Sequence, residues 1–236
     1  MLPQHVGIIM DGNRRFSREL LKLVPWKGHE YGVKKAREVL KWACERGIKY
    51  MTTYALSLEN LTSRPKKELE MILKYMGEEM DDILTNNDHP VSVFSVKVRF
   101  IGRLKLLPSD LQNKLRKVES FTKNNTKHVL NIALAYGGQQ EISDAVKKIT
   151  KKIMQGTIKP SDLNEDIIKK HLYTNGQPAP DLIIRTGGDR RLSNFLPFQS
   201  AYAELMFVDK KWPEFLEKDF NNCLNDFSKR QRRFGA

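Results

Sequence analysis

The sequence predicts one α/β domain with a largely parallel central sheet flanked by helices. Three observations predict it. Apolar runs of strand length recur at residues 6–10, 50–55, 128–135, 181–184 and 203–208, short enough to be buried strands. Amphipathic segments with helical period separate them. Clusters of Gly, Asn, Asp, Ser and Arg follow the runs, where an α/β chain must turn. No change of composition divides the chain, so residues 1–236 are taken as a single domain. A chain of that length buries a substantial core.

The first run ends abruptly in Asp11-Gly12-Asn13, followed at once by Arg14 and Arg15. A strand here delivers a carboxylate and two guanidinium groups to one sheet edge. Ligands of open α/β sheets bind at the carboxyl ends of strands. This set suits a metal-bridged phosphate, with Asp on a hard cation, Arg on phosphate oxygens and Gly allowing close backbone approach. By itself the stretch fits a strand followed by a solvated turn with an Asp–Arg pair better than it fits a phosphate site.

Residues 16–26 read as an irregular or short helical segment. A helix over about 30–46 shows Val33, Ala36, Leu40 and Ala43 on one face and stops at Gly47. The β-rich stretch 50–55 follows, then Ser57, Glu59, Asn60 and Arg64, polar groups expected at the same edge as Asp11. Pro65 is placed at the first position of the next helix, which runs to about Leu84. Its apolar stripe (Leu69, Ile72, Leu73, Met76, Met80, Ile83 and Leu84) is either core packing or one wall of an apolar cavity.

Residues 86–90 read as loop, 91–101 as strand, 110–122 as a basic amphipathic helix and 128–135 as buried strand ending at Tyr136-Gly137-Gly138. Helices follow over 141–154 and 160–172, the latter capped by Ser161. The short strand 181–184 leads into Arg185-Thr186-Gly187-Gly188-Asp189-Arg190-Arg191-Leu192-Ser193. Two glycines, three arginines and a hydroxyl after a buried strand make a phosphate cradle. Glu204 stands in the last apolar run, and a buried acid needs a partner or a metal. Trp212-Pro213 leads to a final helix ending in Lys229-Arg230-Gln231-Arg232-Arg233.

Composition narrows the function. Hydrophobic residues are 40% and charged residues 29%, and no apolar run approaches the ~20 residues that span a bilayer. No signal-peptide pattern opens the chain, so the cytoplasm is the expected compartment. Cys44 and Cys223 match no zinc spacing and are expected as buried thiols. The net charge of +13 points to a polyanionic partner: nucleic acid, an anionic lipid surface or a phosphorylated substrate. No nucleic-acid motif, aromatic–basic interleaving or repeat is present, which argues against nucleic acid.

Several longer motifs stand in order along the chain: His5-Val-Gly-Ile-Ile-Met-Asp-Gly-Asn13, Tyr54-Ala55-Leu56-Ser57-Leu58-Glu59-Asn60, Tyr136-Gly137-Gly138, Asp181-Leu-Ile-Ile-Arg-Thr-Gly-Gly188, Arg191-Leu-Ser-Asn-Phe-Leu196, Gln199-Ser-Ala-Tyr-Ala-Glu-Leu205, Trp212-Pro-Glu-Phe215 and Arg232-Arg-Phe-Gly235. Through them the sequence resembles the cis-prenyltransferases, the undecaprenyl diphosphate synthase family, over residues 5–235. The resemblance implies a homodimeric α/β fold with an apolar tunnel and a Mg²⁺-dependent condensation of isopentenyl diphosphate with an allylic prenyl diphosphate, giving a cis-polyprenyl diphosphate. By position, Asp11 holds Mg²⁺, helped by Glu204 across the dimer interface. Gly12, Asn13, Arg14, Arg15, Phe16 and His29 surround the allylic diphosphate. Asn60 and Arg64 assist near the reacting carbons, and Ser57 and Glu59 bind substrate. Arg185, Arg191 and Ser193 hold the diphosphate of isopentenyl diphosphate, and Arg233 and Gly235 form a C-terminal element reaching the partner's site. The sequence departs from the family pattern at Arg14, where a glycine is usual, and at Asp189-Arg190, where Glu-His is usual. Two other functions stay open at this point: transfer of the prenyl group to a non-isoprenoid acceptor such as an alcohol, and a non-catalytic subunit of a prenyltransferase complex. A long hydrocarbon product and a basic exterior also suggest peripheral contact with an anionic membrane surface.

Overall fold

A computed structural model describes residues 1–230. Its element order is β1(His5–Ile9), α1(Asn13–Glu19), α2(Lys27–Glu45), β2(Tyr50–Ser57), α3(Leu58–Ser63), α4(Lys66–Thr85), α5(Pro90–Val93), β3(Val96–Ile101), α6(Ser109–Thr122), β4(His128–Tyr136), α7(Gly138–Met154), α8(Glu165–His171), β5(Leu182–Thr186), β6(Glu204–Val208) and α9(Glu217–Lys229). The strands form one six-stranded sheet in the order β3-β4-β2-β1-β5-β6. Every neighbouring pair is parallel.

The central strand β1 is buried at every position. It is covered on both faces, which is why the run is continuously apolar instead of alternating. Val6 and Ile8 pack into a large cluster with Val39, Leu40, Met80 and Leu115, under α2, α4 and α6. Ile9 belongs to a smaller cluster with Tyr136, Ile183, Phe195 and Leu196. Cys44 and Cys223 are buried, free thiols, and burial pushes both up to about 12.

Register explains where the polar segments meet. Ile9 lies level with Tyr54 of β2 and Arg185 of β5. Asp11, two residues beyond, therefore sits beside the ends of both neighbours. The chain moves to one side of β1 for β2 and to the other for β5, so the three strand ends open at the point where the sheet changes direction, the usual crevice of such folds.

Three expected boundaries differ. Residues 91–101 are not one strand. Pro90 starts the short α5, the His89 Nδ1 accepts the Val91 N–H at 3.1 Å, and only Val96–Ile101 is extended. The helix near residue 165 is capped by Asn164, which accepts the Ile167 N–H at 3.0 Å; Ser161 lies in a separate single turn. Pro65 is extended (ψ 136°) and precedes α4.

At the opposite end of the sheet, a buried polar chain runs through the strands. His5 Nδ1 lies 2.8 Å from the Pro178 carbonyl, and Nε2 lies 2.8 Å from Thr52 Oγ1. The carbonyl can only accept, so Nδ1 carries the proton and Nε2 accepts from Thr52. Burial drives His5 down to about 4, against the opposing pull of Pro178 and Asp181. The unfolded chain takes up this proton first. Stability is thus complete above the unfolded value near 6.5 and declines as pH falls toward about 4, by up to roughly 3 kcal/mol. Denaturation midpoints measured across that window are expected to fall, and His5→Gln is expected to flatten the slope.

Candidate active site

Asp11 anchors an ionic cluster at the carboxyl edge. Its Oδ2 accepts from Arg185 at 2.8 Å, and its Oδ1 accepts the Gly12 N–H at 2.6 Å and lies 3.4 Å from Arg15. Gly12 holds φ 103°, and an added Cβ there would meet the Lys211 backbone at 2.8 Å. Burial opposes ionisation of Asp11, but the Arg185 hydrogen bond and charge outweigh it. With help from Arg15 and Gly12, they hold its carboxyl below the usual range. Arg185, 4% exposed, also donates to Ser193 Oγ at 2.7 Å and to the Arg191 carbonyl. Asp189 shares the cluster, 2.8 Å from Arg191, 3.4 Å from Arg185 and 3.9 Å from Arg15.

The cradle expected from Gly187 and Gly188 is built otherwise. Their N–H groups donate to the carbonyls of Lys210 at 2.7 Å and Val208 at 3.1 Å, so they clamp the β5 and β6 ends together. The anion-binding groups of this segment are side chains. The segment pays for that aim in backbone strain: Ser193 and Asn194 hold φ 49° and 65°, a region costly for residues with a Cβ.

A second ionic centre lies across the cavity mouth. Glu68 of α4 is 2% exposed and faces two arginines and a histidine: the Arg14 Nε at 3.4 Å, the His29 Nε2 at 3.3 Å, and Arg64 in direct contact. Burial lowers His29 more than Glu68 raises it. Burial opposes the Glu68 charge, yet His29, Arg64 and Arg14 keep its carboxyl low. Ser57 caps α3 by accepting the Asn60 N–H at 3.1 Å, and Glu59 accepts from Asn194 at 2.9 Å. Two buried donors in this region, Arg64 Nε and Arg185 Nε, have no hydrogen-bond partner. Phosphate oxygens would supply what they lack.

Both centres open into one cavity of about 870 Å³. Asp11, Gly12, Asn13, Arg14, Arg15, His29, Ser57, Glu59, Asn60, Arg64, Arg185, Arg191 and Ser193 all line it. Beyond this charged mouth the walls turn apolar: Val33, Ala36 and Leu40 from α2, Ile72, Tyr75, Met76, Met80 and Ile83 from α4, and Met51, Leu130 and Ile132 from the sheet. The expected α4 wall is therefore present, with α2 facing it.

Two expected positions lie elsewhere. Phe16 is not in the lining and packs on Tyr31, ring centroids 5.5 Å apart. Glu204 starts β6, level with Leu182, at the opposite end of the sheet from Asp11, and pairs with Arg230. One chain does not bring it to Asp11. Arg233 and Gly235 lie outside the described residues. Sequence reading missed Glu68, Asp189 and Arg18, all of which belong to the mouth. The one available signal for Glu68 was its i,i+4 spacing from Arg64.

α1 and α2 are locked by a close backbone contact. A Cβ on Gly28 would fall 1.9 Å from the Asn13 carbonyl oxygen. Gly28→Ala is expected to cost about 2–3 kcal/mol through overpacking, visible as a lowered thermal midpoint, and to displace Asn13 and His29 together.

Among the described residues no group of three or more His, Cys, Asp or Glu could hold a metal ion. The donor set nevertheless fits Mg²⁺. Asp11 offers a hard carboxylate to the cavity, and this ion is commonly held by one or two carboxylates together with substrate phosphates.

Comparison with known proteins agrees with this geometry. A family model described as "Putative undecaprenyl diphosphate synthase" matches residues 9–235. The chain is 48% identical over 234 residues to a tritrans,polycis-undecaprenyl-diphosphate synthase (geranylgeranyl-diphosphate specific) of Methanopyrus kandleri, covering 99% of this chain and 85% of that protein. It is 43% identical over 238 residues to an isoprenyl transferase of Thermus thermophilus, covering 99% and 89%. Its fold superposes with a TM-score of 0.91, at 31% identity and covering 100% and 99% of the two chains, on lavandulyl diphosphate synthase from Lavandula x intermedia in complex with dimethylallyl diphosphate. A charged, aspartate-bearing mouth on an apolar cavity, a family match across nearly the whole chain and a relative 48% identical over 99% of it lead to one conclusion: this chain belongs to the undecaprenyl diphosphate synthase family of prenyltransferases.

Proposed function

We propose that the chain is a Mg²⁺-dependent cis-prenyltransferase that elongates an allylic prenyl diphosphate with isopentenyl diphosphate. The observation that carries this reading is the continuity of the cavity, which is cationic at the mouth and apolar beyond. A substrate with a diphosphate head and a growing hydrocarbon tail has that same polarity. The geranylgeranyl specificity named for the Methanopyrus kandleri relative supports geranylgeranyl diphosphate as the primer.

In the condensation, the allylic C1–O bond breaks and diphosphate leaves with the bonding pair. The double bond of isopentenyl diphosphate attacks that carbon, and a proton is lost from the new cation to restore the alkene. Arg14, Arg15, His29 and Arg64 face the allylic diphosphate and stabilise the negative charge that develops as it departs. Arg185, Arg191 and Ser193 hold the second diphosphate and so orient the attacking alkene. Asp11 would hold Mg²⁺, which would supply further charge neutralisation for the leaving group. The apolar walls of α2 and α4 keep water from the cationic carbon.

Incubation with radiolabelled isopentenyl diphosphate, geranylgeranyl diphosphate and Mg²⁺ tests the proposal. A ladder of products differing by one isoprene unit is expected. A folded protein that incorporates no label would overturn elongation, and products carrying an added alcohol would transfer the reading to a different acceptor.

We further propose that the enzyme works as a homodimer in which Glu204, together with Arg233 and Gly235, serves the partner's site. In support, Glu204 lies at the wrong end of its own sheet to meet Asp11. If it acts in trans, mixing inactive Asp11→Ala and Glu204→Ala subunits regenerates one intact site per heterodimer, so about a quarter of the original activity should return. Mixtures that stay inactive after subunit exchange would place Glu204 in its own chain's site or outside catalysis. The product's hydrocarbon and the net charge of +13 support peripheral contact with an anionic membrane surface. No helix among the described residues is long and apolar enough to cross a membrane.

A further inference from the structure

The apolar cavity ends against charge. α2 and α4 run side by side in the same direction, as their two polar rungs show: His29 meets Glu68 near the mouth, and Arg37 meets Glu79 further along. Eight residues separate the rungs on α2 and eleven on α4, about 12–16 Å at 1.5 Å per residue. At the second rung the Arg37 Nε donates to both Glu79 oxygens, at 2.7 and 2.9 Å. A further Arg37 nitrogen lies 2.7 Å from Asp82. His89, from the loop before α5, places Nε2 3.1 Å from Glu79. Arg37, Glu79 and His89 all line the cavity.

The far end of the cavity has two unlike sides. Leu40, Ile83 and Val91 form one, are at most 4% exposed and are backed by the main core. The ionic cluster forms the other. There the side chains of Arg37 and Asp82 are 33% and 31% exposed, so this side separates the cavity directly from solvent. A hydrocarbon tail that fills the cavity can displace the core only by repacking several side chains. At the ionic side it need only push α2 away from α4 against a salt-bridge fork.

We propose that the Arg37–Glu79–Asp82–His89 cluster is the latch that closes the α2–α4 seam at the far end of the cavity and so sets the length of hydrocarbon the enzyme completes before release. This rests on the elongation reading above. Its logic is chemical: paired charges present neither an apolar surface on which the tail gains by advancing nor an open path to water. Elongation slows when the tail reaches them, and the product leaves.

Product length under saturating isopentenyl diphosphate, read by mass spectrometry, tests the latch. Arg37→Ala/Glu79→Ala removes the fork, along with the contacts Asp82 and His89 make to it, and should shift the dominant product upward by at least one isoprene unit. Glu79→Gln keeps the shape and weakens the fork, and should give a smaller shift in the same direction, which covers the case in which the double variant does not fold. Ala36→Phe, a cavity-lining position next to Arg37 but on the apolar wall, is the control and should shorten the product. If Ala36→Phe shortens it while folded Glu79→Gln and the double variant leave it unchanged, the latch is wrong and elongation stands. If Ala36→Phe also has no effect, the tail does not run between α2 and α4, and the cavity reading fails with it.

Discussion

Asp11→Asn is expected to lower turnover by about a thousandfold, the scale of losing a principal transition-state electrostatic group, while leaving the fold intact. Asparagine keeps the size of the side chain, but its one amide oxygen can accept from only one of the two donors, Gly12 and Arg185, that now hold the two carboxylate oxygens at 2.6 and 2.8 Å. What it loses is the negative charge that would hold a divalent cation against the diphosphate. Steady-state kinetics with geranylgeranyl diphosphate, alongside circular dichroism, separates the chemical loss from unfolding. Near-normal turnover in a folded Asp11→Asn protein would remove Asp11 from the metal site. Raising Mg²⁺ concentration should recover little, because the missing element is a ligand and not the affinity of a complete site.

Arg185→Met should have the second largest effect, and it should act on stability and binding together. Methionine fills a comparable volume, yet Asp11 and Asp189 lose their shared cation, and Ser193 and the Arg191 carbonyl lose a donor. Breaking a buried ion pair by removing one partner costs about 3–5 kcal/mol. Asp11 and Asp189 are about a third exposed, so solvent screening brings the expectation to about 2 kcal/mol. If Arg185 holds the second diphosphate as proposed, the same change removes charge-assisted contacts from that subsite. The KM for isopentenyl diphosphate should rise by about ten- to a hundredfold, at about 1.5–3 kcal/mol per such bond. The KM for the allylic substrate should change far less, since Arg14, His29 and Arg64 sit on the other side of the mouth. A uniform rise in both KM values would argue against two separate subsites.

The two substitutions show how the site depends on sheet register. Asp11 and Arg185 are 174 residues apart in sequence and 2.8 Å apart in space. They meet because Ile9 pairs with Arg185 in adjacent parallel strands. Any slip of β5 against β1 would separate them.

Much of this was legible in the chain itself. Continuous apolar runs marked the central strands, since a strand covered on both faces has no polar side to show. Asp11, Arg15, Asn60, Arg64, Arg185 and Ser193 were legible as site candidates because polar groups at strand ends have few structural reasons to be there. Helix periodicity also marked the α4 stripe that now forms one cavity wall. Local signals failed where a neighbour far in sequence decided the outcome. Gly187 and Gly188 read as an anion cradle, but carbonyls at and just beyond the end of β6 take their N–H groups. Glu68 went unmarked in the sequence, and Arg14, His29 and Arg64 close over it only in the fold. Arg37 and Glu79 stand on two helices far apart in sequence, and only the packing of α2 against α4 makes them one cluster lining an apolar cavity. The sequence by itself determined the strands, the helices and the chemistry carried at the strand ends, because those depend on period and residue type. Tertiary structure alone decided which charges meet and where the cavity stops, because pairing and enclosure depend on distances that no local pattern encodes.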